Sequence, residues 1–152
     1  MQTSRHILPI ALAVIFILVT GAAEAKPKKP EKPPTPEAPS QYGFVILVDL
    51  KSQQAWGYRE GKEVFQSAVC SGKKSTPTPK GKFEVISKHK HWVSTIYHVP
   101  MPYFLRLTPY TIGLHAGHMA GRPASHGCIR LPKEKARELF ELAEVGTEVY
   151  VR

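Results

Sequence analysis

Residues 44–70 read FVILVDL-KS-QQAWGYR-EG-KEVFQSAVC. Phe44–Leu50 is a short apolar run rich in Val and Ile, the composition of a buried strand. Lys51-Ser52 reads as a turn. Gln53–Arg59 sets Trp56 and Tyr58 on one face of a second strand. Glu60-Gly61 makes the next turn, and Lys62–Cys70 forms a third strand. Short strands joined so closely predict an antiparallel meander and a mainly β domain beginning near Tyr42.

Downstream the signals are mixed. Gly72–Lys80 is a basic loop containing Thr76-Pro77-Thr78-Pro79, and Gly81–Ile86 returns as a strand with Phe83 and Val85 alternating. Between His89 and Thr111, Pro100 and Pro102 flank Met101 and predict an irregular course. Tyr103–Leu107 and Thr111–Leu114 read as short strands. Helical period appears at Ala136, Leu139, Phe140 and Ala143, with Pro132 placed to start the helix and Val145-Gly146 to end it. Thr147–Val151 closes as a strand. A mainly β core of about 110 residues with one short C-terminal helix is large enough to fold alone.

Upstream, Arg5 and His6 precede an apolar run, Ile7–Val19, interrupted by Pro9. Ala23-Glu24-Ala25 follows and fits an A-x-A cleavage site, so residues 1–25 read as an export signal. The run is shorter than the ~20 apolar residues of a spanning helix. Retention as an anchor is the alternative. Membrane contact is then expected only transiently, through the signal. Residues 26–41 form a linker rich in lysine and in proline, which favours extended polyproline conformation. The domain follows over residues 42–152. A net charge of +9 favours an anionic partner. Nucleic acid is not expected, because the lysines sit in loops and linker instead of on a helix face or among surface aromatics.

The chemistry concentrates in His115–Leu131, His-Ala-Gly-His-Met-Ala-Gly-Arg-Pro-Ala-Ser-His-Gly-Cys-Ile-Arg-Leu. Three histidines and a cysteine lie among small residues, and no Asp or Glu occurs from Val85 through Lys133. A thiol attacks carbonyls as its thiolate, which a neighbouring histidine can generate. Cys128 is therefore the candidate nucleophile, expected as a reactive thiolate, and His115 the candidate base. Gly127 allows close approach of a substrate to the backbone. The amides of Gly127 and Cys128 are oxyanion-hole candidates. The single aspartate, Asp49, is remote in sequence, so the carbonyl of Ala116 is the candidate for orienting the imidazole.

Two other readings fit the same residues. Cys70 and Cys128 could form a disulfide, since two cysteines in an exported chain invite pairing. His115, His118, His126 and Cys128 could ligate zinc, although H-x2-H-x7-H-x-C is not a standard pattern and no carboxylate stands by to orient the ligands. His118, His89, His91 and His98 read as structural.

The stretch resembles the L,D-transpeptidase family, the YkuD-type catalytic domain of bacterial cell-wall enzymes. The resemblance rests on His115 followed by Ser125-His126-Gly127-Cys128-Ile129-Arg130, with Thr76-Pro77-Thr78-Pro79-Lys80-Gly81-Lys82-Phe83 similar to the family's Thr-Pro-x-Gly-x-Phe element. Met101-Pro102-Tyr103-Phe104 and Gly113-Leu114-His115 resemble its compact members. The family implies a β-sandwich-like mixed sheet with a short helix. It implies Cys128 as nucleophile and His115 as general base and acid, with Ser125, His126, Gly127 and Arg130 as substrate-pocket and oxyanion residues. Ala116 replaces a more usual Gly or Ser, and the loop from His115 to Cys128 is shorter than in many members, which implies a small lid. No cofactor is implied. The implied partners are peptidoglycan stem peptides and, as a further acceptor, a wall-anchored protein. The implied place is periplasmic or cell-wall associated. The implied reaction is acyl transfer through a thioester with loss of terminal D-alanine; water as acceptor would give carboxypeptidase activity. The alternatives from other classes are a non-catalytic wall-binding module with a Cys70–Cys128 disulfide and a zinc-dependent wall hydrolase.

Overall fold

The computed structural model describes residues 43–152. The export signal and the linker lie outside the described residues. Phe44–Asp49 (β1), Gln54–Arg59 (β2) and Lys62–Ala68 (β3) form the antiparallel meander expected from their turns. Gly81–Glu84 (β4) lies in the same sheet. It does not pair with β3. Glu148–Val151, the last strand of the domain (β9), inserts between β1 and β4, parallel to β1 and antiparallel to β4. The order is β3-β2-β1-β9-β4.

A second sheet has the order β5-β6-β7-β8, from Ser87–His89 (β5), Phe104–Arg106 (β6), Gly113–Ala116 (β7) and Ile129–Leu131 (β8). β7 and β8 are parallel; the other pairs are antiparallel. Parallel neighbours cannot be joined by a tight turn. The connection from Gly117 to Cys128 is the loop that carries the Ser-His-Gly-Cys motif.

The helix Lys133–Leu142 (α1) starts after Pro132, which occupies the N-cap, and Glu134 in its first turn suits the positive end of the helix dipole. It ends at Leu142, short of Val145-Gly146. Ala143 turns extended, and Lys88 donates to the Ala143 carbonyl there. Ala136 and Leu139 face inward and pack α1 on β7 and β8.

One core cluster joins both sheets and the helix: Ile46 and Val48 from β1, Leu105, Leu114, Ile129 and Leu131 from the second sheet, Leu139 from α1, Val149 from β9. Each fully buried side chain of this kind contributes roughly 1.5–3 kcal/mol. Trp56 and Tyr58 fall on one face of β2, as their spacing requires, and pack with Leu47 and Tyr150 in a separate cluster. The architecture is mainly β, two mixed sheets and one short helix.

Two connections prepare the site. Gln53, at φ 53° in the β1–β2 turn, holds Ser71 by two bonds: its Nε2 donates to Ser71 Oγ (2.7 Å), and the Ser71 amide donates to its Oε1 (3.0 Å). The Ser71 carbonyl then accepts the amides of Ala124 (2.9 Å) and Ser125 (3.0 Å). The edge of the first sheet is thus tied to the motif loop.

Candidate active site

The parallel register of β7 and β8 pairs Leu114 with Ile129, His115 with Arg130 and Ala116 with Leu131. Side chains alternate along a strand, so Leu114 and Ile129 enter the core while His115 and Arg130 share the opposite face. Cys128, two residues before Arg130, belongs to that same face. His115, Cys128 and Arg130 line one cavity of about 480 Å3 with Tyr97, Ile112 and Ser125.

His115 is 6% exposed. Its Nδ1 lies 2.7 Å from the carbonyl of Ala116. A carbonyl only accepts, so this geometry assigns the proton to Nδ1 and leaves the Nε2 lone pair available. Burial pushes the imidazole down to about 4, the Ala116 bond opposes that, and the charge on Arg130 adds to it. Phe104 meets the ring edge-on at 6.3 Å. At neutral pH the group is an uncharged imidazole.

Cys128 is half-buried and its Sγ donates to the carbonyl of Thr111 at 3.3 Å. Burial raises the thiol above its usual range; a bond from the Gly113 backbone and the Arg130 charge pull the other way. Burial disfavours the charged form of each group, and so favours a thiol and an imidazole over the expected thiolate.

The motif loop is held by its own atoms and by the segment from Ser71 to Thr78. Ser125 is buried, and its hydroxyl donates to the Cys128 carbonyl and accepts the Gly127 amide at 3.1 Å. That amide, an oxyanion candidate from sequence, is therefore already engaged. Gly127 stands at φ +114°, and a Cβ there would come within 2.7 Å of Ile112 Cδ1. Thr78 braces the loop from below. Its Oγ1 accepts the Gly72 amide and donates to the Gly127 carbonyl, both at 2.8 Å. Lys73 N–H and Thr76 Oγ1 donate to the Ser125 carbonyl at 3.0 and 3.2 Å.

His126 is exposed. Its ring packs against Tyr97 at 4.6 Å, and its Nε2 lies 3.3 Å from Lys73 Nζ. Tyr97 comes from a hairpin closed by the Val93–Pro100 bridge, whose Val93, Ile96, Tyr97 and Val99 are all exposed. Arg130 lays its aliphatic stem over Gly117, where a Cβ would come within 2.9 Å of Arg130 Cδ. Among the described residues the guanidinium has no carboxylate partner, neither Glu84 nor Glu134. Asp49 lies at the end of β1, accepting from the Ser52 amide and from Arg152.

Sequence reasoning missed Tyr97, Ile112 and the brace of Gln53 on Ser71. It quoted Thr78 only as part of a motif. The signal for Thr78 was the Thr-Pro-Thr-Pro run, which leaves a β-branched hydroxyl in a segment that cannot join a sheet.

Neither competing arrangement is formed. Cys70 and Cys128 are free thiols, and Cys70 Sγ donates instead to the Arg122 carbonyl at 3.2 Å. Among the described residues no three His, Cys, Asp or Glu side chains gather to hold a metal ion. His118 is an exposed residue at the pocket rim. His89 packs at a tilt against Trp92 at 4.5 Å and bonds Ser87.

Residues 43–151 match the family model described as YkuD, the L,D-transpeptidase catalytic domain. No curated protein matches the chain. Among solved structures, an L,D-transpeptidase from Mycobacterium smegmatis is similar in fold, with a TM-score of 0.69 at 22% identity, over 72% of this chain and 58% of that one. One from Stackebrandtia nassauensis gives 0.68 at 28% identity, over 72% and 55%. A cysteine-to-serine variant of the Enterococcus faecium L,D-transpeptidase gives 0.65 at 32% identity, over 72% and 50%. This chain spans between 50% and 58% of those three proteins.

Proposed function

Because this chain belongs to the YkuD L,D-transpeptidase catalytic-domain family, we propose that it transfers the acyl group of a peptidoglycan stem peptide through a thioester on Cys128. The observation that carries this reading is the β7–β8 register, with His115 opposite Arg130 and Cys128 on the same face of one pocket.

The mechanism starts from the neutral pair. Cys128 Sγ attacks the carbonyl of the third stem residue while its proton passes to His115 Nε2. The imidazolium is stabilised by its Nδ1–H bond to Ala116. The oxyanion of the tetrahedral intermediate is met by the Cys128 amide. The C–N bond to the terminal D-alanine breaks, and His115 returns the proton to the leaving amine. The thioester then passes to an amine of a neighbouring stem, giving a cross-link, or to an amine of a wall-anchored protein. Water as acceptor gives carboxypeptidase activity. Ser125 and Gly127 shape the loop under the reacting carbonyl, and His126 with Tyr97 forms the pocket rim. Arg130, charged at any working pH and without a carboxylate partner among the described residues, binds the donor's carboxylate. No step requires a cofactor.

This chemistry belongs outside the cytoplasm, with export directed by residues 1–25 and the linker 26–41 spacing the domain from its exit point. N-terminal sequencing of the exported product should begin at or near Lys26; a product starting at Met1 indicates an anchored form. The central test is intact mass after incubation with a carbapenem. Cys128 should gain one acyl adduct. No adduct on a folded protein overturns the cysteine mechanism.

A further inference from the structure

Resting on the reading above, we infer that a second, basic groove beside the pocket binds the carboxylates of the acceptor stem, the peptide whose amine receives the acyl group. The groove has a volume of about 860 Å3 and is lined by Lys73, Lys74, Lys80 and Arg122, with Ser75 and Pro77 between them. Among the described residues no acid lines it. Between Val64 and Lys133 the sequence contains one acid, Glu84.

Three lysines elsewhere on the described surface pair with acids. Lys82, two residues past Lys80, lies 2.6 Å from Glu148; Lys88 pairs with Glu144 and Lys135 with Glu138. Among the described residues Lys74, Lys80 and Arg122 meet no carboxylate, and Lys73 Nζ meets only the ring of His126. The turn from Lys73 to Thr76 is closed by the Thr76 amide on the Lys73 carbonyl at 2.9 Å. Within it the amides of Lys74 and Ser75 donate to no described group. Cations gathered along one loop, beside two exposed amides that bond no described group, attract an anion.

The position of the groove says which anion. Its wall is the same loop that holds the motif: the Lys73 amide bonds the Ser125 carbonyl, and the Lys73 ammonium touches His126 at the pocket rim. A peptide anchored in the groove by its carboxylates passes His126 on its way to the thioester. The transfer needs such a second peptide. Its amine nitrogen forms the new C–N bond as the C–S bond breaks. The proton it sheds goes to His115 and then to the departing sulfur of Cys128.

The test uses Lys74→Glu/Lys80→Glu, a pair of exposed residues outside the reacting pocket, with Lys74→Gln/Lys80→Gln beside it. In the charge-reversed variant the apparent KM for a carboxylate-bearing acceptor stem should rise about tenfold or more, since like charges then face each other across the interface. The Gln pair should give a smaller rise. Carbapenem acylation and donor hydrolysis should stay within about twofold. Titration of the acceptor stem onto the carbapenem-acylated protein should show the same loss in Kd, and added salt should weaken the wild type more than the variant. An unchanged acceptor KM and Kd overturns the inference. So does a parallel loss of acylation, which would make the groove part of the donor site. Loss of retention on immobilised polyphosphate alone, with acceptor binding intact, assigns the groove to a phosphate polymer and also overturns it. If the carbapenem does not acylate Cys128, the catalytic reading falls by itself. The stem titration on untreated protein then still reads the groove.

Discussion

Thr78 and Gly127 stand 49 positions apart in the chain and share a 2.8 Å hydrogen bond, hydroxyl to carbonyl, beneath the motif loop. The same hydroxyl accepts the Gly72 amide. Thr78→Val keeps the shape and removes both bonds in a buried place. It should cost about 1–3 kcal/mol for each group left unsatisfied. The carbapenem acylation rate should fall further than the loss of folded protein explains. Thermal unfolding together with acylation kinetics checks this; normal acylation with lowered stability would confine Thr78 to a packing role.

The two cysteines should separate cleanly. Cys128→Ser should abolish acylation and turnover while the circular dichroism spectrum persists. Cys70→Ala, at a wholly buried position whose thiol bonds Arg122, should lower stability by about 1 kcal/mol and leave most activity. Turnover at the wild-type rate in the Cys128 variant would end the thioester mechanism.

His115→Ala should lower kcat/KM by about 10²–10⁴-fold, the usual range for a lost general base. His118→Ala, at the exposed rim, should change it less than about threefold. Equal losses in the two variants would point to a misassigned base.

The neutral resting pair has a pH signature. The His115 imidazole is depressed to about 4 from an ordinary 6.5. Between those values the unfolded chain binds the proton that the folded site refuses, so stability rises with pH. The contribution is fully present above pH 6.5 and is lost as pH falls through 4; it amounts to about 3 kcal/mol. His115→Gln should flatten that slope in denaturant unfolding. Alkylation of Cys128 should accelerate steadily from neutral pH past its ordinary thiol range, since burial raises its pKa. A rate plateau below pH 7 would instead reveal a standing thiolate–imidazolium pair.

Arg130→Lys should weaken donor turnover through KM, while Cys128 still reacts with a small thiol reagent. A lysine cannot reproduce the two-pronged hold of a guanidinium on a carboxylate. Joint loss of thermal stability and thiol reactivity would make Arg130 a scaffold residue.

How far the sequence could be read depended on the range of the signal. β1 to β3 were legible because their alternation and turns are local. So was α1, apart from its end, which Ala143 and Lys88 set earlier than Val145-Gly146. The place of β9 between β1 and β4 was not legible, since parallel pairing leaves no turn to mark it. β5 is three residues long and carries no pattern. Cys128 and His115 stood out by residue type and spacing. Ala116 was reachable because its carbonyl is next in sequence. The Tyr97–His126 contact was hidden because it joins separate loops. The resting charge of Cys128 was hidden too, because burial is a property of the folded pocket.

The insertion of β9 also bears on the order in which the domain can assemble. Until Glu148–Val151 has been made, β1 and β4 each lack the neighbour that pairs them. A growing chain that has reached only α1 therefore carries two unfilled strand edges, and closing the sheet requires contact across a hundred residues or so. Such long-range closure is slow and comes late. The first sheet is therefore completed only once the last strand of the domain has been made.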